Sequence, residues 1–425
     1  MKITVNKILL LAFAAAIFVS GCSTTEDDNS DNKTDSGIKI GVILPFSGEC
    51  GAFGSPAMEA IQMAVDEIND AGGIWGKPLE LIVVDSRSDP FEASLEAKRL
   101  ILEDSVVAIL GAEASPVSIE IRNMISEYNI IQISGASCAY QLTTDDLIDS
   151  IFYRTVLSDY YEARIIADKL AEWGDSAIRI LYVDDDYGTG MADRIKNRFE
   201  FYGMVDKMVA FEPDKMSYAE QIESLFADVS PQDTPRVVLV AYPRCGGQII
   251  RDWRASGYPA RWIVADALKA QEFIEYAGAE NVEGIYGVSP YNGDLSYEYF
   301  RDAYESFTDD DSRRHRCVEN WYDATILLAY AILYADTLDP KLIGRALRIV
   351  SSPPGTTVTF GQFAYGKSIV EQTTVVGTLT VRGDINYEGA SGSVDMDNNG
   401  DIEDASYELW QITNGNFVHI EELIP

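Results

Sequence analysis

Basic residues are scarce in this chain. Lys and Arg number 33 against 68 Asp and Glu, for a formal net charge of −35. A surface of that sign repels phosphate backbones and anionic lipid, which argues against a nucleic-acid partner. It reads as a solvated, self-repelling surface that keeps the protein soluble, salty surroundings included. Histidine is scarcer still: His315 and His419 are the 2 in the chain, far apart and outside any ligand motif. So placed, they support neither a metal centre nor a Ser/Cys–His catalytic pair. The 5 cysteines show no zinc spacing. Gly188-Thr-Gly190 lacks the third glycine of a dinucleotide fingerprint and follows an acidic run, so no cofactor is implied. Asp395-Met-Asp397-Asn-Asn399-Gly400-Asp401 opens like a calcium loop, but its twelfth position is Ser406 and not a bidentate Glu, which leaves a turn. Asp184-Asp185-Asp186 are adjacent on one turn, where carboxylates seldom converge as acid and base.

Long apolar runs are missing from the body of the chain. The best candidate, Ala324–Ala335, contains Tyr330 and Tyr334 and stops at Asp336, short of the roughly 18 residues that cross a bilayer. The start of the chain differs. Lys2 and Lys7 precede an apolar run from Ile8 to Val19, which has the length of a signal-peptide core rather than of a spanning helix. Val19-Ser20-Gly21-Cys22 resembles a bacterial lipobox, implying cleavage after residue 21 and lipid attachment at Cys22. Acyl chains there would anchor the protein at about 0.8 kcal/mol per buried methylene. Residues 22–37 carry no apolar side chain after the cysteine and read as a flexible acidic tether. The expectation is an exported protein, in the periplasm or on the cell surface, that meets a membrane through lipid alone. In such a compartment Cys50, Cys138, Cys245 and Cys317 favour two disulfides, with three connectivities open. Cys50 and Cys138 both lie on first-domain loops, which favours a Cys50–Cys138 bridge and leaves Cys245–Cys317 for the other.

From Ile38 the pattern alternates strand and helix. Ile38–Leu44 is a β-branched run; Ser55 and Pro56 read as the cap and first residue of a helix that Gly72-Gly73 ends. Strands follow at Leu79–Val84, Val106–Leu110 and Ile130–Ile133, with helices at Pro90–Glu103 and Pro116–Tyr128. The grammar restarts after Thr155: strands at Ile178–Val183, Val205–Phe211, Val237–Ala241 and Trp262–Val264, helices at Tyr160–Trp173, Gly190–Tyr202, Tyr218–Phe226 and Gln248–Ser256. A long helix at Val318–Ala335, a shorter one at Pro340–Ile349 and a strand- and turn-rich end complete the chain. The fold class is α/β, with two doubly wound, Rossmann-like lobes. The expected division is 38–155 plus about 289–385 for the first lobe, and 156–288 plus about 404–425 for the second.

Ligands of open α/β sheets sit beyond the carboxyl ends of the strands. In the first lobe those ends are Ser47–Phe53, Ala112–Ser115 and Gly135–Cys138, small and hydroxyl-bearing residues suited to an anion near helix N-termini. In the second they are Asp184–Tyr187, Tyr242–Cys245 and Asp266, a carboxylate and two phenols suited to an ammonium group and an apolar body. One lobe for a carboxylate and one for an amine is what a free amino acid requires.

Phe46–Gly54, Glu67–Lys77, Asp85–Pro90, Ile109–Ser115, Ile133–Ser137, Phe152–Arg154, Asp186–Gly190, Gly247–Arg251, Asp397–Asp401 and Tyr407–Trp410 resemble the type I periplasmic binding proteins of the branched-chain amino-acid transport family, over roughly residues 38–425. The resemblance implies lobes joined by three crossing strands, a ligand between them, no catalysis, and ABC permease and ATPase subunits as partners. It places Ser115 and the Ala136-Ser137-Cys138 loop on the α-carboxylate, Asp266 on the α-amino group, Tyr187 and Tyr242 as cleft tyrosines, and Phe53 over the side chain. Asp266 stands where leucine-type members have Glu, Cys138 where they have Thr, and residues 353–389 are extra. Arg244 adds a charge near the cleft that suits an acidic or polar side chain, or a solvated loop equally well. A ligand-sensing receptor without transport, and a hydrolase using cleft carboxylates, are the rival readings.

Overall fold

The computed structural model describes residues 37–424 except 144–150, 292, 294, 312–314, 377–378 and 403–405. The signal segment, Cys22 and all but the last residue of the tether lie outside the described residues.

Short β-branched runs form a first, wholly parallel sheet. Its strands are β1 (Ile38–Leu44), β2 (Leu79–Asp85), β3 (Ala108–Gly111), β4 (Ile131–Ser134) and β5 (Phe152–Arg154), ordered β2-β1-β3-β4-β5. Parallel strands need crossovers, and the helices Gly54–Asp70, Pro90–Leu102 and Ser115–Ile125 supply them. The first of these begins one residue before the expected Ser55 cap, because the 3₁₀ turn Gly51–Phe53 runs straight into it.

The second lobe starts with β6 (Ala177–Val183), β7 (Met204–Phe211), β8 (Arg236–Val240), β9 (Arg261–Val264) and β10 (Tyr286–Tyr291). Two of its helices start earlier than their sequence suggests. Asp185 caps the helix Asp186–Phe199 by accepting from the Gly188 amide at 2.9 Å, which puts Tyr187 in the first turn. Any side chain at Gly188 would meet the Val183 carbonyl at 2.0 Å, so the glycine lets helix and strand end touch. The helix Pro243–Ser256 runs through Gly246-Gly247, because a Cβ at Gly247 would press on Tyr276 at 2.5 Å. Those glycines serve packing and do not break the helix.

The chain then builds the helices Leu295–Thr308, Val318–Ala335 and Pro340–Val350. Two small elements follow: a sheet of β11 (Thr356–Thr359), β14 (Ile385–Gly389) and β15 (Gly392–Ser393), and a hairpin of β12 (Thr373–Val376) and β13 (Leu379–Arg382). The helix Val318–Ala335 is buried almost all round, and Asp323 within it accepts hydrogen bonds from Tyr387, Ala390 and Ser391. Among the described residues no helix is long and apolar enough to cross a membrane. Finally β16 (Ser406–Thr413) and β17 (Asn416–Leu423), joined at Asn414-Gly415 with both residues at positive φ, complete the second sheet in the order β17-β16-β10-β9-β8-β6-β7.

One clasp ties the crossings between the sheets. Arg154, at the end of β5, is fully buried; its Nε and Nη2 donate to Asp401 at 2.6 and 3.0 Å, and its Nη1 donates to the Ala139 carbonyl at 3.0 Å. Asp401 belongs to the turn that opens like a calcium loop. Its Asp397 carboxylate accepts from the amides of Asn399 and Asp401, which is the work of a turn, and no metal-sized acidic cluster occurs among the described residues.

Candidate functional site

The strand ends of both sheets meet around one small pocket, about 20 Å³ in volume. From the first lobe it receives Cys50 and Phe53 after β1, Glu113, Ala114 and Ser115 after β3, and Ala136 and Cys138 after β4. From the second come Tyr187 after β6, Tyr242 after β8 and Ala267 after β9. Phe53, Ser115, Ala136, Cys138, Tyr187 and Tyr242, all read from the sequence, therefore stand together. Asp266 reaches the same place through its partners.

Each side chain is held by a particular bond. The Tyr187 and Tyr242 rings stack, with centroids 5.6 Å apart. The Tyr187 hydroxyl donates to Asp266 Oδ1 at 2.9 Å, and that of Tyr242 donates to Asp185 Oδ2 at 2.8 Å. Burial first, then the carboxylate each one faces, pushes both phenols well above their ordinary range. Ser115 Oγ accepts from the Ala139 amide at 3.1 Å, tying two loops together. Ser137 is expected at the ligand but turns inward: its hydroxyl meets Ser118 Oγ at 2.8 Å and the Ala112 carbonyl at 2.9 Å, and it stabilises the loop from behind. Arg244 also misses the pocket. Its Nε donates to the Tyr276 hydroxyl at 2.9 Å and its Nη1 to the Gly48 carbonyl at 3.4 Å, a link between lobes outside the pocket.

Glu113 and Arg316 were not anticipated. The Arg316 guanidinium enters the pocket and donates to Asp266 of the second lobe and to Glu113 and the Ala136 carbonyl of the first. Burial opposes its charge, but Asp266 leads the neighbours that outweigh this and hold its pKa well above the ordinary value. Burial pushes Glu113 up to about 7, against the pull of Arg316 and of the Trp321 indole N–H at 3.0 Å. Glu162, whose carboxylate accepts from the Asp266 amide at 2.8 Å, is raised by burial and then by Asp266. Glu113 lay within a strand end already singled out. Arg316 closes the run Arg313-Arg314-His315-Arg316, a basic island in an acidic chain, and that was the available clue.

The expected disulfides do not form. Cys50, Cys138, Cys245 and Cys317 are all free and buried. The Cys138 sulfur faces Arg316 Nη2 at 3.8 Å rather than Cys50. Cys245 lies in the first turn of a second-lobe helix with its thiol on the Tyr242 carbonyl at 3.3 Å, whereas Cys317 caps the first-lobe helix Val318–Ala335. Burial pushes all four thiols up, so they remain protonated.

Two strand-end walls, one from each doubly wound lobe, around a site with acceptors on both sides define a cleft-type binding protein. A family model described as periplasmic binding protein matches residues 37–371, and the chain belongs to that family. Its members and neighbours are solute-binding proteins and not enzymes. A leucine-, isoleucine-, valine-, threonine- and alanine-binding protein of Pseudomonas aeruginosa is 24% identical over 314 residues, 73% of this chain and 82% of that one. The substrate-binding protein of a chemotactic signal transduction system in Halobacterium salinarum is 24% identical over 372 residues, 84% of this chain and 83% of the relative. Among solved structures, a leucine-binding protein of Thermotoga maritima aligns with a TM-score of 0.74 at 24% identity, covering 91% of this chain and 99% of that one. The substrate-binding protein of a branched-chain amino acid transporter from Streptococcus pneumoniae, in complex with isoleucine, gives 0.74 at 21% identity, covering 92% and 100%.

Proposed function

We propose that this protein is an exported, lipid-anchored receptor that captures an amino acid or a related amine-bearing solute by closing its lobes, and passes it to ABC permease and ATPase partners. The observation that carries this reading is the convergence of Ser115, Ala136 and Cys138 from one lobe with Tyr187, Tyr242 and Asp266 from the other. Helix N-termini and small residues suit a carboxylate, Asp266 suits an amine, and the stacked tyrosines with Phe53 suit an apolar side chain. Hinge closure would then shift the population toward the closed form by no more than the solute's differential affinity for it. The lipid at Cys22 and the acidic segment behind it would act as anchor and tether.

A thermal-shift screen over amino acids, amides and small carboxylates tests the reading. A solute at one hundred times its Kd should stabilise the protein by about 2.7 kcal/mol. If no amine-bearing solute raises the melting temperature, the cleft is not an amino-acid site. In calorimetry, Asp266→Ala should weaken binding by about 2–5 kcal/mol, as when a buried charge loses its partner; unchanged affinity would remove Asp266 from the site. The Halobacterium relative, which serves chemotaxis and covers most of the chain, favours a second reading in which the closed form feeds a receptor. Permease and ATPase genes beside this one would favour transport.

A further inference from the structure

The pocket already holds a cation. Arg316 Nε and Nη2 lie 2.7 and 2.6 Å from Asp266 Oδ2, Nη1 lies 3.1 Å from Glu113 Oε1, and Nη2 lies 2.9 Å from the Ala136 carbonyl. Two carboxylates and a carbonyl, drawn from both lobes, form the acceptor set that a solute's amine would need. The space left, about 20 Å³, is on the scale of one water molecule and admits no amino acid beside the guanidinium.

We infer that Arg316 is a tethered stand-in for the cationic group of the solute: it bridges the lobes in the fraction of unliganded molecules that close, and is exchanged for the solute's amine on binding. This rests on the reading of the cleft as a solute site and names what regulates it. The side chain has somewhere to go. Arg316 also lines a cavity of about 290 Å³, shared with Lys269, Glu319, Glu408 and His419. Lys269 and His419 are both engaged by Glu408 there. Glu319, three residues on from Arg316, lines that cavity with a carboxylate that takes no bond from another residue among the described ones. A rotation about the Arg316 side chain would thus trade Glu113 and Asp266 for Glu319.

The exchange also sets the class of solute. A solute with an ammonium, amidinium or guanidinium group replaces the charge that Arg316 removes. One without a cation leaves Glu113 and Asp266 buried and unpaired, and is rejected for that reason.

The test compares the wild-type protein with Arg316→Met by calorimetry and solution scattering, using L-leucine, L-arginine and guanidinium chloride as probes. The unliganded wild type should be more compact on average than unliganded Arg316→Met. Guanidinium at millimolar concentration should restore compactness in the variant only. Amine-bearing solutes should bind Arg316→Met at least tenfold more tightly, because a competitor at an effective concentration on the order of millimolar is gone. Weaker binding to the variant would make Arg316 a solute-holding residue and overturn the inference, as would a variant that stays compact and ignores guanidinium. Arg316→Met leaves two buried carboxylates unpaired, so Arg316→Met with Glu113→Gln serves where the single variant fails to fold. If neither protein binds an amino acid, the amino-acid reading fails, while the guanidinium response still decides the role of Arg316.

Discussion

Two buried arginines, Arg154 and Arg316, show that burial of a charge does not reveal its purpose. Arg154 faces one carboxylate, Asp401, the Thr143 hydroxyl and two backbone carbonyls, those of Ser137 and Ala139. It bonds one anion, with Asp159 near enough to feel its charge, and the rest of its donors are met by groups the fold holds in place. Arg316 faces two carboxylates, with Glu162 behind Asp266 and raised by burial and then by the Asp266 charge. It sits between the lobes rather than at a crossing, and a larger cavity opens beside it. A balanced pair with backbone partners is a clasp. An arginine bonded to carboxylates of both lobes, next to empty space, is exchangeable.

The widest gap between the two should appear on mutation. Arg154→Met strands Asp401 and two carbonyls, and should cost about 3–5 kcal/mol in urea unfolding, the range for breaking a buried pair. Solute affinity of the folded fraction should hardly change. Arg316→Met should cost less, because Glu113 already sits where protonation is easy and can discharge the site. Equal losses from the two variants would break the distinction between clasp and stand-in.

Titration sharpens it further. Burial pushes Glu113 and Asp159 up to about 7 and Asp185 up to about 6. Each binds its proton more tightly folded than unfolded, so between the ordinary carboxylate range and about pH 7 the folded state holds more protons. Stability therefore falls as pH rises through that window and levels off above it. The melting temperature of the unliganded protein should be higher at pH 5.5 than at pH 8, and Glu113→Gln should flatten part of the slope. Asp85, whose hydrogen bonds from Ser47, Arg87 and Phe46 outweigh its burial, works in the opposite sense and only below the ordinary carboxylate range. A melting temperature that rises from pH 5.5 to 8 would mean that the cleft carboxylates stay ionised and fully paired.

How much of this could be read beforehand depends on sequence distance. The strand Ile38–Leu44 and the helix Val318–Ala335 coincide with their expected bounds, because a β-branched run and a long apolar stretch state their own conformation. The pocket walls were legible too, since a strand end is a local feature and the α/β topology turns strand ends into one place. The helix Leu295–Thr308 went unread: it buries only Phe300 and Tyr304 fully, so its apolar stripe is too thin to register as a period. Gly246-Gly247 hid a helix start, since a glycine pair looks like a break until the Tyr276 side chain against it is seen. Arg316 meets Asp266 across 50 residues and Glu113 across 203, and Arg154 meets Asp401 across 247. Pairings at such separations are set by tertiary geometry alone. The disulfide expectation failed for a related reason: an even number of cysteines says nothing about which way each sulfur points.

The smallest expected effect separates pairs by their access to solvent. At −35 the surface repels itself, and raising ionic strength shortens the Debye length from about 30 Å at 0.01 M to about 3 Å at 1 M. Salt should therefore raise the melting temperature of the wild type by a few degrees. Superimposed on that, the Arg198–Asp168 pair, with both side chains 35% exposed, should contribute only about 0.2–1 kcal/mol at low salt and less at 1 M. The Arg316–Asp266 pair, with side chains 7% and 1% exposed, is shielded from counterions by the lobes themselves. The melting-temperature difference between wild type and Arg198→Met should accordingly shrink with salt, while that between wild type and Arg316→Met stays constant. If the second difference shrinks as well, salt is reaching the guanidinium, and the lobes of the unliganded protein spend much of their time apart.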